Sequence, residues 1–74
     1  MDIEIIGTSK EIIIESISNL MYHFDLEDLK INYSSGKLLD FNKYSMTGTL
    51  DSISELREYN NFLQDKYEVK IYVL

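Results

Sequence analysis

Side chains that could carry out catalysis are scarce in this sequence. His23 is the single histidine of the 74 residues, and the chain has no cysteine. One histidine without a second histidine or a thiolate is a poor transition-metal site, and without cysteine there are neither disulfides nor thiolate nucleophiles. No strained turn presents a serine nucleophile to His23. We therefore interpret His23 as a structural residue, and predict that the protein is not an enzyme and holds no cofactor or metal.

Carboxylates are the other groups that could support chemistry. The acidic segment 25–28 could hold a hard cation, but it lacks the glycine turn and the distal carboxylate of a calcium loop. Glu11 with Glu15, and Glu55 with Glu58, have the spacing of neighbours on the outward side of a helix. Helix surfaces are convex and wet, whereas catalytic carboxylates need a cleft that shifts their pKa. We interpret these acidic residues as solvated.

Composition limits the partners that the chain can have. There are 13 acidic and 7 basic residues, which give a net charge of −6. Proteins that bind nucleic acid or anionic membranes need a positive surface, so we predict neither partner. No apolar run is long enough to span a bilayer, and Asp2 and Glu4 give the first residues the wrong charge for a secretory signal. We expect one cytoplasmic domain that occupies residues 1–74.

Apolar periodicity predicts the elements that must position these residues. A capping box at Thr8 and Glu11 opens a first helix that ends near Phe24, and a second capping box at residues 52–55 opens another. The segment 34–37 reads as a turn, and 37–42 as a hairpin loop or a strand extension. Two-residue alternation predicts strands at residues 2–6, 29–33, 44–50 and 67–74.

The order β-α-β-β-α-β predicts an α+β, ferredoxin-like domain. Right-handed crossovers give a four-stranded antiparallel sheet in the order 4-1-3-2, with both helices on one face. Glu4 and Lys70 could then pair across the first and last strands. The face covered by the helices is expected to hold Ile3, Ile5, Ile31, Tyr33, Met46, Val69 and Ile71. The open face is expected to hold Glu4, Lys30, Asn32, Thr47, Thr49, Lys70 and Tyr72.

Three segments resemble the YbeD-like family. They are residues 6–11 (IGTSKE) after the first strand, the turn 34–37 (SSGK), and the closing strand 68–74 (EVKIYVL). The resemblance implies an ACT-like domain with a regulatory or binding role, which associates edge to edge and binds a small metabolite near the first strand–helix turn. In this chain that turn is Gly7, Thr8 and Ser9, at a helix N-terminus whose free amide groups attract carboxylates.

Two functions follow from these observations. The first is a non-enzymatic regulatory or binding protein that binds a small metabolite or a protein and forms a homodimer. Its expected contact residues are Lys30, Asn32, Lys70 and Tyr72. The alternative is an acidic phage-encoded inhibitor of the anti-CRISPR or DNA-mimic type, which blocks a nucleic-acid enzyme. Its acidic surface would consist of Glu11, Glu15, Asp51, Glu55 and Glu58.

Overall fold

The predicted order of strands and helices is confirmed. The computed structural model describes residues 1–27, 29–51 and 54–74. The elements in chain order are β1 (Asp2–Gly7), α1 (Lys10–Phe24), β2 (Leu29–Asp40), β3 (Lys43–Leu50), α2 (Leu56–Tyr67) and β4 (Lys70–Val73). Among the described residues, no helix is both long enough and apolar enough to cross a lipid bilayer.

The sheet is antiparallel and has the strand order β2-β3-β1-β4, which is the predicted order. Its register pairs Ile5 of β1 with Met46 on one side and with Ile71 on the other. Facing residues in an antiparallel sheet share a side, so these three side chains form one row under the helices. Both helices therefore pack on the same face, as expected for a ferredoxin-like fold.

The core lies between this face and the two helices. On α1, Ile13, Ile17 and Leu20 follow the helical spacing and are completely or almost completely buried. On α2, Tyr59 and Leu63 fill the same role. The strands contribute Ile3, Ile5, Leu29, Met46, Leu50 and Ile71, and Val69 joins them just before β4.

Helix α1 begins one residue later than the sequence predicts. The N-cap is Ser9, whose hydroxyl oxygen accepts a hydrogen bond from the amide of Ile12 at 3.2 Å, and Thr8 is exposed. The predicted capping box at Thr8 and Glu11 is therefore wrong, although the capping chemistry is the one expected of a serine. The predicted end at Phe24 is confirmed, and Asp25 closes the helix in the left-handed conformation.

The predicted turn at 34–37 is a β-bulge within one long strand. Four residues of β2, 33–36, lie opposite the single residue between Thr47 and Ser45 of β3. The Ser35 hydroxyl donates to the Asn32 carbonyl at 2.8 Å and accepts from the Thr47 amide at 3.3 Å. A side chain thus replaces a backbone partner in the ladder, so the strand bends without ending.

The chain reverses at Phe41 and Asn42, between the paired residues Asp40 and Lys43. Of the two interpretations of segment 37–42, the strand extension is therefore correct for residues 37–40. The side-chain oxygen of Asp40 accepts from the Phe41 amide at 2.7 Å and stabilises this tight turn. As a result, the β2–β3 hairpin extends past the last pair that β3 makes with β1, Gly7 with Tyr44.

The chain after the hairpin differs from the prediction at two points. Tyr67 lies in α2 instead of opening the last strand, and β4 starts at Lys70. The side-chain amide of Asn19 on α1 donates to the Tyr67 hydroxyl, which ties the last turn of α2 to the neighbouring helix. The second predicted capping box includes residues 52 and 53, which lie outside the described residues.

Candidate functional site

The turn between β1 and α1, Gly7–Ser9, is the predicted ligand site. Its residues already have structural partners. A Cβ atom on Gly7 would lie 2.7 Å from Ile13 Cγ1 and 2.9 Å from Val69 Cγ2, so the strand passes tightly against the core here. Ser9 is used as the helix cap, which leaves Thr8 as the exposed hydroxyl. Binding of a carboxylate at this turn stays a prediction.

The open face of the sheet carries polar side chains in rows across the strands. One row consists of Lys30, Thr49 and Asp2, the next of Asn32, Thr47, Glu4 and Tyr72, and a third of Lys37, Ser45, Ile6 and Lys70. By alternation, Lys43 lies on the same face beyond the third row. This face therefore holds four of the seven basic residues, whereas the described strands place three of the thirteen acidic ones on it: Asp2, Glu4 and Asp40, which pairs with Lys43.

The predicted contact residues share this face but do not form one site. Lys30 and Asn32 lie on β2, whereas Lys70 and Tyr72 lie on β4, at the other edge of the sheet. Lys70 Nζ lies 5.0 Å from the centre of the Tyr72 ring, a cation–π contact between neighbours on one strand. The register shows that the predicted pair of Glu4 with Lys70 is wrong.

In that register Glu4 faces Tyr72, and Lys70 faces Ile6. The Glu4 carboxylate instead accepts a hydrogen bond from the Ser45 hydroxyl at 2.7 Å. On the covered side, Tyr33 was expected in the core but is 49% exposed, because the bulge carries it away from the helices.

One edge of the sheet, β4, is closed by a side chain. The Ile71 amide donates to Asn60 Oδ1 at 2.7 Å, and Asn60 Nδ2 donates to the Ile71 carbonyl at 3.0 Å. Asn60 belongs to α2, so the helix reaches around the edge and satisfies both outward groups of the middle of β4. Such blocking protects an edge strand from pairing with another chain.

The other edge is β2, which among the described residues pairs with β3 alone. The Leu50 amide donates to the Met1 carbonyl. The backbone N–H and C=O groups of Leu50 therefore point toward β1, away from Leu29, which faces Leu50 on β2. Because these orientations alternate along antiparallel strands, Leu29 and Ile31 direct their amide and carbonyl groups out of the sheet. The β2 edge therefore presents backbone donors and acceptors to a further strand.

The tip of the β2–β3 hairpin is apolar. Phe41 is 89% exposed and Leu38 is 66% exposed, and Leu39 beside them is also exposed. Hairpin turns usually carry small polar residues, so a phenylalanine at this place exposes apolar surface that the fold does not use.

A shallow depression of about 360 Å³ lies on the open face at the opposite end of the sheet. Its walls include Asp2, Thr47, Thr49 and Asn32, with Leu74 at its border. The depression thus combines hydroxyl groups, an amide and a carboxylate with the apolar side chain of Leu74 at its border.

The acidic residues proposed for an inhibitor are all exposed but form two groups. Glu11 and Glu15 occupy the first turns of α1, whereas Asp51, Glu55 and Glu58 surround the start of α2. The two helices run in opposite directions, so the groups lie at opposite ends of the helical layer. The Glu55 carboxylate also accepts a hydrogen bond from the Tyr59 hydroxyl at 3.1 Å.

His23 is exposed at the end of α1, where its ring stacks on Phe62 with the centres 4.8 Å apart. In the described part of the chain, no group of three histidine, cysteine, aspartate or glutamate residues is arranged to hold a metal ion. The position fits the structural role that the sequence suggests for His23.

The sequence did not indicate the most informative residues of these surfaces. Asn60 closes an edge, Ser35 forms the bulge and Phe41 occupies the exposed tip. Only Phe41 leaves a local signal, as an apolar residue between Asp40 and Asn42.

Comparison of the chain with protein-family models, with curated proteins and with solved structures gave no match.

Proposed function

We propose that the chain is a small, non-enzymatic binding protein of the cytoplasm, which acts by pairing the edge of β2 with a strand of another protein. The observation that carries this proposal is the difference between the two edges. The β4 edge is closed by Asn60 through two hydrogen bonds, whereas Ile31 on β2 directs both backbone groups outward. Addition of a strand to a free edge is a common mode of protein recognition.

A second copy of the chain is the partner that we propose. Two β2 strands can pair antiparallel about a twofold axis at Ile31, which places Leu29 of one copy opposite Tyr33 of the other. On the open face the same register places Lys30 opposite Asn32, so the two lysines do not repel one another. On the helical face the two Ile31 side chains lie next to one another. This register would join the two four-stranded sheets into one.

The regulatory part of the proposal depends on the YbeD-like resemblance. Edge-to-edge association is what that family leads us to expect, and the free β2 edge supports it. Its small-metabolite site would lie at Thr8, the exposed residue of the β1–α1 turn. A thermal shift with amino acids or other carboxylate metabolites, abolished by bulky substitution of Thr8, would support this part.

Replacement of Ile31 by proline tests the edge. Proline removes the outward N–H group, which the β2–β3 ladder does not need, and proline is tolerated on edge strands. Ile31→Ala is the matched control, because it loses the apolar side chain but keeps the amide. We expect Ile31→Pro to remain monomeric at concentrations at which wild type and Ile31→Ala already sediment at twice 8.7 kDa. A monomeric wild type at high micromolar concentration, or an Ile31→Pro chain that dimerises as strongly as Ile31→Ala, would refute edge pairing.

The acidic inhibitor remains a second candidate, supported by the exposure of Asp51, Glu55 and Glu58 around the start of α2. Carboxylates so arranged could occupy the nucleic-acid channel of a nuclease. Binding would then be salt-sensitive and would weaken in the Glu55→Gln, Glu58→Gln double variant. The Glu11→Gln, Glu15→Gln variant removes the same charge at the other end and serves as control. Equal binding by wild type and the Glu55–Glu58 variant would exclude mimicry through this group.

A further inference from the structure

The two ends of the sheet carry complementary features. At one end, the hairpin tip exposes Phe41 and Leu38. At the other end, the depression of about 360 Å³ is bordered by Leu74, which is 70% exposed. A protruding aromatic side chain and an open concavity are thus present on the same molecule.

The tip cannot reach the depression of its own chain. Phe41 and Thr49 are eight residues apart along an extended strand, which is about 26 Å at the usual rise per residue. The longest dimension of the molecule is 31 Å. Contact between the tip and a depression of this kind therefore requires two molecules.

Charge favours the same contact. Lys37 and Lys43 are exposed on the hairpin, while Asp2 lines the depression and Asp51 is exposed just beyond β3. The remaining charge at each end is also opposite in sign to that at the other. The hairpin carries Asp40, and Lys30 lies in the same row as Asp2 beside the depression. The acidic residues elsewhere on the molecule act weakly at this distance, since physiological salt screens charges beyond about 8 Å.

From these observations we infer that the chain associates head to tail, with the Phe41 tip of one copy seated in the depression between Asp2, Thr49 and Leu74 of the next. This contact is heterologous, so it leaves one free tip and one free depression and can extend into a row of molecules. It does not use the outward backbone groups of either edge strand and does not rest on the proposed pairing of β2. A contact confined to one hairpin tip belongs to the weak class of interfaces.

Disulfide trapping tests this contact directly, because the chain has no cysteine of its own. Asn42→Cys places a thiol at the tip, and Thr49→Cys places one at the depression; both positions are exposed. Under mild oxidation, a mixture of the two single variants should form a crosslinked dimer much faster than either variant alone. The double variant should form a ladder of multimers. Ser18→Cys, exposed on α1, replaces Asn42→Cys in the control mixture.

Equal rates for the Asn42–Thr49 mixture and the Ser18–Thr49 control would overturn the proposal. So would preferential crosslinking of Asn42→Cys with itself, which would indicate an isologous contact. Thr49 lies on β3, one strand in from the edge that Ile31 would pair, and an Ile31→Pro variant that still gives the mixed crosslink would separate this contact from edge pairing.

Removal of the aromatic tip is the second measurement. Phe41→Ser should weaken concentration-dependent association of the Ile31→Pro chain at least about tenfold, as loss of a central aromatic contact does. The control is Tyr22→Ser, which removes an aromatic side chain that is 92% exposed on α1, outside the proposed contact. Equal association of the two serine variants would contradict the role of Phe41. Circular dichroism establishes that each variant is folded, and Phe41→Leu provides a milder change should the serine variant unfold.

Discussion

Loss of Asn60 should destabilise the protein and open the β4 edge. The Asn60 side chain makes two hydrogen bonds to Ile71, of 2.7 and 3.0 Å, both partly buried. At about 0.5–1.5 kcal/mol for each, Asn60→Ala should lower the free energy of unfolding by about 1–3 kcal/mol. In a domain of this size that corresponds to a fall in Tm on the order of 10 °C.

Urea unfolding followed by circular dichroism measures the loss, and Asn61→Ala is the matched control because Asn61 is exposed on the same helix. The control should remain within about 0.5 kcal/mol of wild type. The double variant Asn60→Ala, Ile31→Pro should also associate more strongly than Ile31→Pro alone, because the backbone groups of Ile71 then lose their partner. Equal stability of the Asn60 and Asn61 variants would refute the reasoning.

Three further substitutions test other contacts by the same unfolding assay. Ser9→Ala should cost about 1 kcal/mol through loss of the helix cap, whereas Thr8→Ala should cost less than about 0.5 kcal/mol; the reverse order would contradict the assigned cap. Gly7→Ala should cost about 1–3 kcal/mol, because its Cβ would crowd Ile13; an unchanged stability would contradict that packing. Ser35→Ala should cost about 1 kcal/mol by leaving the Thr47 amide without its hydroxyl partner; no loss would mean that the amide has another partner.

The fold could be predicted because burial follows a regular period in most elements. Ile3 and Ile5 alternate with Asp2 and Glu4, and Ile13 begins a stripe at helical spacing. These patterns depend only on which side of an element faces the core. Element order then restricts the topology to very few possibilities. The strand order and the common side of the helices follow from such reasoning.

The bulge could not be predicted, because its local sequence is that of a turn. Ser34, Ser35 and Gly36 have the composition of a chain reversal. The strand continues past this segment, and the Ser35 hydroxyl hydrogen-bonds there to Thr47, twelve residues later. A long-range contact of this kind leaves no trace in a window of neighbouring residues.

The first residue of α1 and the last residue of α2 could not be predicted from the sequence either. Thr8 and Ser9 are both good caps by residue type, so the sequence does not indicate that it is Ser9 that accepts from the Ile12 amide. Tyr67 suits a strand by propensity, yet it lies in α2, where its hydroxyl accepts a hydrogen bond from Asn19, a residue distant in the sequence. Likewise, nothing near Asn60 in the sequence indicates that its amide reaches Ile71.

Hydrogen exchange at Ile31, followed by NMR in the wild-type chain, tests the proposed binding edge most directly. Its amide should exchange rapidly in dilute solution and become protected as the concentration rises, while the Ile71 amide, held by Asn60, stays protected throughout. An Ile31 amide that exchanges rapidly at every concentration, or one already protected in the monomer, would contradict the account.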